Sequence, residues 1–158
     1  DEQIFAGVAV LKKFEIPFRT QQMLGIPTST IEDDLELLKL NCKINPLIAW
    51  TSIFCPIRGT PLGEYCVEHG LYEGKNDDIA EHLFSHSVLN FSEKRKKQIR
   101  ILNRLFATLT HLPDGWKIAE KLIDSDATIE DIYTHTKNCL YDALYELDEE
   151  SAEKTRKR

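Results

Sequence analysis

The chain has 158 residues, of which 42% are hydrophobic and 29% are charged, a composition typical of a globular domain and not of a disordered segment. Its 20 basic and 26 acidic residues give a net charge of −6, which excludes a broad nucleic-acid interface because phosphate groups need a basic surface. No apolar run reaches the roughly 20 residues of a membrane-spanning helix, so neither a nucleic-acid partner nor a membrane-spanning segment is predicted.

The first 70 residues alternate between helical and strand patterns. They predict a helix over residues 4–14, a strand over 16–24, a helix from Ser29, a strand over 47–54 and a helix from Thr60 to Gly70. Ser29 with Glu32 forms a predicted capping box, and Thr60 followed by Pro61 is typical of a helix start. The second strand is apolar nearly throughout and is expected to be covered on both faces. This order predicts an α/β layer with parallel strands.

The second half of the chain is predicted to be helical. A polar connection after Gly70 leads to an amphipathic helix from Ser92 to Leu112, a short helix from Trp116 to Ile123 and a last helix after Thr128. The charged residues 151–158 are expected to fray.

The cysteines indicate the cellular compartment of the chain, and the first residue indicates whether the chain belongs to a longer protein. The four cysteines, Cys42, Cys55, Cys66 and Cys139, form no C-x-x-C pair, which favours reduced thiols and a cytoplasmic location. The sequence opens at Asp1 directly into a helical pattern. Because two parallel strands cannot cover their own edges, we expect further strands upstream, in a longer protein.

Several residue groups have both a functional and a simpler structural interpretation. His82 and His86 are four residues apart, as zinc ligands can be, but no further ligand has a matching spacing, so a solvated pair is favoured. The basic residues 94–97 are interpreted as a solvated helix face. Cys55 and Trp50 are interpreted as packing residues in preference to a reactive thiol and a cofactor stacker.

Three segments, in this order, carry a resemblance to a known family. They are M-L-G-I-P over residues 23–27 with T-x-E-D over 30–33, W-T-S-I-F-C-P-I-R-G-T-P-L over 50–62, and E-Y-C-x-x-H-G-L over 64–71. Together they resemble the C-terminal part of the radical S-adenosylmethionine domain, and within it the cobalamin-binding subgroup. The resemblance covers most of the chain.

The resemblance implies a fold and a division of the chain. Residues 1–75 would be the C-terminal β/α units of a partial (β/α) barrel, residues 76–150 a helical region and residues 151–158 a charged tail. The family holds a [4Fe-4S] cluster on a C-x-x-x-C-x-x-C loop near the start of its domain, and no cysteines here have that spacing. The cluster ligands, and any cobalamin, are therefore expected in the upstream part of the same protein, which is the predicted partner.

The resemblance also implies a site. Ligands of parallel α/β layers lie beyond the carboxyl ends of the strands, and the family places S-adenosylmethionine there. Carried over by position, the cofactor-binding residues are Gln21, Gln22, Met23, Gly25, Phe54, Cys55, Pro56 and Ile57. Loops that end at the predicted caps Ser29 and Thr60 would present backbone N–H groups to the ligand. Arg58 stands where the family's loop has no arginine, and could bind an anionic substrate group bidentately.

The resulting hypothesis is that this chain is the C-terminal segment of a radical S-adenosylmethionine enzyme and is inactive alone. The parent protein would cleave S-adenosylmethionine to a 5′-deoxyadenosyl radical or use a methylcobalamin route. The substrate is not readable from the sequence. The alternative is a non-catalytic binding or scaffold module that has lost the cluster. A free-standing phosphate-binding α/β domain is the third possibility, and it predicts that the chain folds on its own.

Overall fold

The fold was analysed in a computed structural model, which describes residues 2–73, 86–126, 128, 130–132 and 134. Its elements in chain order are α1 (Glu2–Lys13), β1 (Arg19–Leu24), α2 (Ile31–Ile44), β2 (Ile48–Ile53), α3 (Pro61–Glu68), α4 (Glu93–His111) and α5 (Gly115–Ile123). The predicted alternation in the first 70 residues is confirmed, as are the helices starting near Ser92 and Trp116. The tail over residues 151–158 lies outside the described residues.

The helix starts follow from side chains that bond to the first turn. Thr30 caps α2: its hydroxyl accepts the Asp33 N–H at 3.3 Å, and the Asp33 carboxylate accepts the Thr30 N–H at 2.7 Å. The predicted capping box of Ser29 and Glu32 is therefore wrong by one residue. Ser29 instead closes the preceding turn, since its hydroxyl donates to the Ile26 carbonyl at 3.0 Å. The predicted caps Thr60 and Ser92 are confirmed.

The two strands pair in parallel, and the pairing runs from Arg19 opposite Ile48 to Leu24 opposite Ile53. Helix α2 connects them, as expected for a β-α-β unit. The described residues thus form a mixed helix and strand structure around a two-stranded parallel sheet. Barrel closure needs more strands than these two, and it remains a prediction.

One face of the sheet is covered by helices. Helix α4 packs against β2, α2 and α5, and the core that these elements share is mainly apolar. Its buried members include Leu24, Leu38, Ala49, Ile53, Ile99, Leu102, Phe106 and Leu109. Helix α2 and the residues 86–126 that follow the α/β segment therefore together supply the layer that covers the sheet.

Two asparagines attach the helices to the centre of each strand. In α2, the Asn41 Oδ1 accepts hydrogen bonds from the Thr20 hydroxyl at 2.7 Å and the Gln22 amide at 2.8 Å. In α4, the Asn103 amide donates to the Thr51 carbonyl at 3.2 Å. Buried polar groups cost stability unless they are paired, so these contacts allow polar strand residues to face the helical layer.

The opposite face, which we call the open face, carries the exposed side chains of the strands. Met23, Ile48 and Trp50 are 44%, 46% and 53% exposed. The expectation that β2 is covered on both faces is therefore wrong for the described part of the chain. The interpretation of Trp50 as a packing residue is wrong for the described residues, whereas Trp116 packs against the core.

No described helix combines the length and the apolar character that crossing a bilayer requires.

A second, smaller apolar cluster lies beside α3 and contains Phe54, Cys66, Tyr72 and Leu89. It anchors the loop that leaves β2 and thereby connects the sheet to the residues that precede α4.

Candidate functional site

The two loops that leave the strands lie side by side. The parallel pairing places Leu24 opposite Ile53, and the Phe54 N–H donates to the Leu24 carbonyl at 2.9 Å, one residue beyond the strand. We call the adjacent loops, residues 25–29 and 54–59, the carboxyl edge. This is the side on which parallel α/β folds bind ligands.

The predicted site residues of β1 divide between the two faces because strand side chains alternate. Gln21 and Met23 are exposed on the open face. Gln22 points into the helical layer, where its amide donates to Asn41. The Gln22 Oε1 is buried and accepts no hydrogen bond from the described residues. The structure therefore brings Gln21 and Met23 to one surface and does not bring Gln22 there.

The predicted residues after β2 also divide by burial. Phe54, Cys55 and Pro56 are buried, whereas Ile57 is 59% exposed and Arg58 is exposed. Burial raises the pKa of the Cys55 thiol, which keeps the thiol protonated and agrees with a packing role. Only Ile57 and Arg58 of this group can contact a ligand directly in this conformation.

Gly25 begins the first loop in a conformation that requires glycine. Its φ is +68°, and a Cβ there would lie 2.7 Å from the Ile99 Cδ1 of α4. Its N–H points at both carboxylate oxygens of Asp34, each at 3.3 Å. The loop is therefore held from the helix side by steric contact and by a charged acceptor.

Asp34 is itself paired across 61 residues of sequence. The Arg95 Nη2 lies 2.9 Å from the Asp34 Oδ2, and the two side chains are 14% and 4% exposed. The same Nη2 lies 3.4 Å from the Ser29 carbonyl. Burial raises the pKa of Asp34 to about 6, although the nearby Arg95 charge acts in the opposite direction.

Sequence reasoning missed this pair. The interpretation of residues 94–97 as a solvated face is wrong for Arg95, whereas Lys94 and Lys96 do form exposed surface pairs with Asp124 and Glu93. A signal for Asp34 was present: it lies three residues after Ile31 and four before Leu38, on the apolar stripe of α2. An acidic residue in such a stripe indicates a buried partner.

The second loop is closed by its own helix. The Gly59 N–H donates to the Glu64 Oε1 at 2.8 Å, and the Gly63 N–H donates to the Thr60 hydroxyl at 3.1 Å. With the Gly25 N–H directed at Asp34, these backbone donors are used inside the fold. The expectation that the two capped loops present these N–H groups to a ligand is therefore not met. The carboxyl edge offers side chains instead.

The described residues contain no group of three His, Cys, Asp or Glu side chains placed to hold a metal ion. His82 and Cys139 lie outside the described residues. Cys55 and Cys66 are buried, and the four cysteines lack the cluster-binding spacing.

Comparison of the chain with family models, with curated proteins and with solved structures finds no match in any of the three.

Proposed function

We propose that this chain is the C-terminal part of a radical S-adenosylmethionine enzyme of the cobalamin-associated type, and that its carboxyl edge lines part of the S-adenosylmethionine pocket. The observation that carries the proposal is the adjacency of the two motif segments. The M-L-G-I-P and F-C-P-I-R segments are far apart in sequence, yet they end neighbouring parallel strands and meet through the Phe54–Leu24 hydrogen bond of 2.9 Å.

The exposed residues of the carboxyl edge and of the adjoining open face of β1 fit a nucleoside ligand. Gln21 provides an amide that can donate to and accept from hydroxyls or ring nitrogens. Met23 and Ile57, 44% and 59% exposed, provide apolar surface for a purine or for the methionine side chain, and Met also adapts to irregular shapes. Arg58 provides a cation for an anionic group of the substrate. Gln22, Phe54, Cys55 and Pro56 support the edge from behind.

The residues present do not fit the [4Fe-4S] cluster, because neither the sequence spacing nor the described cysteine, histidine and carboxylate side chains provide a ligand set. In this proposal the cluster and any cobalamin belong to the upstream part. S-adenosylmethionine supplies the reactive adenosyl and methyl groups when bound. The share of this chain is to orient the nucleoside through Gln21, to contact it through Met23 and Ile57, and to exclude water.

The first test is the coding sequence upstream of Asp1. The proposal expects an in-frame C-x-x-x-C-x-x-C motif preceding this segment by on the order of 100 residues, as the size of a β/α barrel requires. If the upstream sequence holds no such motif, the proposal fails, and a non-catalytic binding or scaffold module becomes the better hypothesis.

The second test uses the protein that contains both parts, reconstituted with iron and sulfide under anaerobic conditions. Formation of 5′-deoxyadenosine or methyl transfer from S-adenosylmethionine is measured for Met23→Ala, with Arg19→Ala as the matched control. Both residues lie on the open face of β1, but Arg19 begins the strand and Met23 is near its carboxyl end. We expect KM for S-adenosylmethionine to rise about 10-fold for Met23→Ala, as loss of one apolar contact predicts, and to stay unchanged for Arg19→Ala. Equal effects would contradict the placement of the pocket at the carboxyl edge.

A further inference from the structure

The first loop of the carboxyl edge is held by α4, a helix far away in sequence. We propose that Arg95 is a positioning residue: through Asp34 it fixes the backbone of residues 25–29, so that the docking of α4 sets the shape of this side of the pocket. The contacts that hold the loop follow from the structure and do not depend on the function of the chain. The consequence for ligand binding rests on the proposed function.

Asp34 is the connection between loop and helix. Its carboxylate faces the Gly25 N–H at 3.3 Å and the Arg95 Nη2 at 2.9 Å. Arg95 also reaches the other end of the loop, since its Nη2 lies 3.4 Å from the Ser29 carbonyl. One guanidinium thus acts on both ends of a five-residue turn, directly at Ser29 and through the carboxylate at Gly25.

A second contact from α4 acts on the same turn. Ile99 lies one helical turn after Arg95 and is fully buried, with its Cδ1 placed 2.7 Å from the position that a Gly25 Cβ would take. Arg95 and Ile99 therefore hold the loop by charge and by steric contact from adjacent turns of one helix. If α4 moves away from the sheet, both contacts are lost together.

The pair is better suited to fixing geometry than to stabilising the fold. Both side chains are largely buried, and a buried ion pair gains little net stability because desolvation offsets the attraction. The Arg95 Nη1 is buried and has no hydrogen-bond partner among the described residues, which adds to this cost. A planar guanidinium nevertheless directs its donors rigidly, and that property suits a positioning role.

The test is amide hydrogen exchange at Gly25 in the longer protein that contains this chain. For Arg95→Met we expect exchange at the Gly25 N–H to accelerate by on the order of 10-fold, because Asp34 without its guanidinium partner no longer holds its carboxylate in a fixed position for that N–H. Lys94→Met is the matched control, because Lys94 is the preceding residue of the same helix and forms an exposed pair with Asp124. It should leave Gly25 unchanged. Arg95→Lys keeps the charge without the planar fork and should restore protection only in part.

The amides of Leu102 and Phe106 in the core of α4 distinguish a local effect from general loosening. We expect their exchange to stay unchanged in Arg95→Met. If that variant does not fold, because it leaves Asp34 buried and unpaired, the double variant D34L/R95M removes both charges together with the acceptor of the Gly25 N–H, and should fold while leaving Gly25 unprotected. Unchanged exchange at Gly25 in either variant overturns the proposal. Equal acceleration at Gly25 and in the core also overturns it, since the pair would then serve only general stability.

Binding of S-adenosylmethionine distinguishes this inference from the proposed function. In the reconstituted protein with both parts, we expect Arg95→Met to weaken binding about 10-fold and Lys94→Met to leave it unchanged, since a misplaced pocket wall loses ordered contacts. If the parent protein binds no S-adenosylmethionine but Arg95→Met still frees Gly25, the proposed function fails and the positioning of the loop stands. If binding is normal and Gly25 stays protected in Arg95→Met, the positioning role fails and the proposed function stands.

Discussion

The two faces of the sheet have similar compositions and different surroundings. Side-chain alternation places Leu24, Ala49 and Ile53 on the covered face and Met23, Ile48 and Trp50 on the open face, with three polar strand residues beside each set. The covered set lies under α2 and α4 and is at most 1% exposed, whereas the open set is at least 44% exposed.

The difference shows that the strand sequence does not decide which face is covered. Which face is covered depends on where α4 packs, since its buried residues Leu102 and Phe106 belong to the same core as the sheet. A row of exposed apolar side chains on strands is unusual for a surface. Such a row is a candidate contact surface for another part of a longer protein.

The largest expected effect comes from one residue type on the two faces of β2. Ile53 is fully buried and Ile48 is 46% exposed. Ile53→Ala should lower the free energy of unfolding by about 2–5 kcal/mol, the cost of a core cavity, whereas Ile48→Ala should lower it by about 1 kcal/mol or less. Urea unfolding of the 158-residue chain measures both. Similar losses would show that something covers the open face in solution, such as a second copy of the chain.

The next effect is a pH dependence that originates on the covered side. The pKa of Asp34 is raised from 3.8 to about 6 in the folded chain, so between these values the folded state holds a proton that the unfolded state has released. Stability contributed by this group is therefore full below pH 3.8, falls as pH rises to about 6 and is constant above. The slope is at most about 1.4 kcal/mol per pH unit.

Asp34→Asn removes this titration, and the difference in unfolding free energy between wild type and variant isolates it from other carboxylates. Asp33 and Asp124 have lowered pKa values, so their contributions change at lower pH and remain in the variant. If the difference between the two proteins stays constant from about pH 4 to pH 7, Asp34 titrates normally and is better solvated than the structure indicates.

The smallest effect compares two glycines of the carboxyl edge. Gly25 and Gly59 both have positive φ, +68° and +80°, but a Cβ at Gly25 would meet Ile99 while a Cβ at Gly59 would contact nothing within 4 Å. Alanine at either position costs about 1–2 kcal/mol for the left-handed backbone, and we expect Gly25→Ala to cost about 1 kcal/mol more for crowding. Thermal unfolding of both variants measures the difference. Ile99→Val, which removes the crowded methyl, should reduce the cost of Gly25→Ala.

Local signals in the sequence predicted the elements well. The Thr60–Pro61 start of α3, β2 and the bounds of α4 depend on neighbouring residues and were found within one residue of the prediction, whereas β1 begins at Arg19, three residues later than predicted. What failed depends on tertiary contacts. The covered face of β2 and the partner of Asp34 are determined by residues of α4, which lie far away in sequence. A resemblance by position carried Gln22 into the site together with Gln21, although alternation along a strand separates the two.

The late position of α4 in the chain affects how the protein is made. Thr51 bonds to Asn103 across 52 residues, and the core around β2 cannot form until that helix has left the ribosome. Synthesis proceeds at about 5–20 residues per second, so the part of the sheet that α4 covers stays exposed for seconds. During that interval the nascent chain exposes apolar side chains such as Ala49 and Ile53, which α4 later helps to bury. A ribosome-associated chaperone that binds short apolar strands would find its longest opportunity between the synthesis of β2 and that of α4.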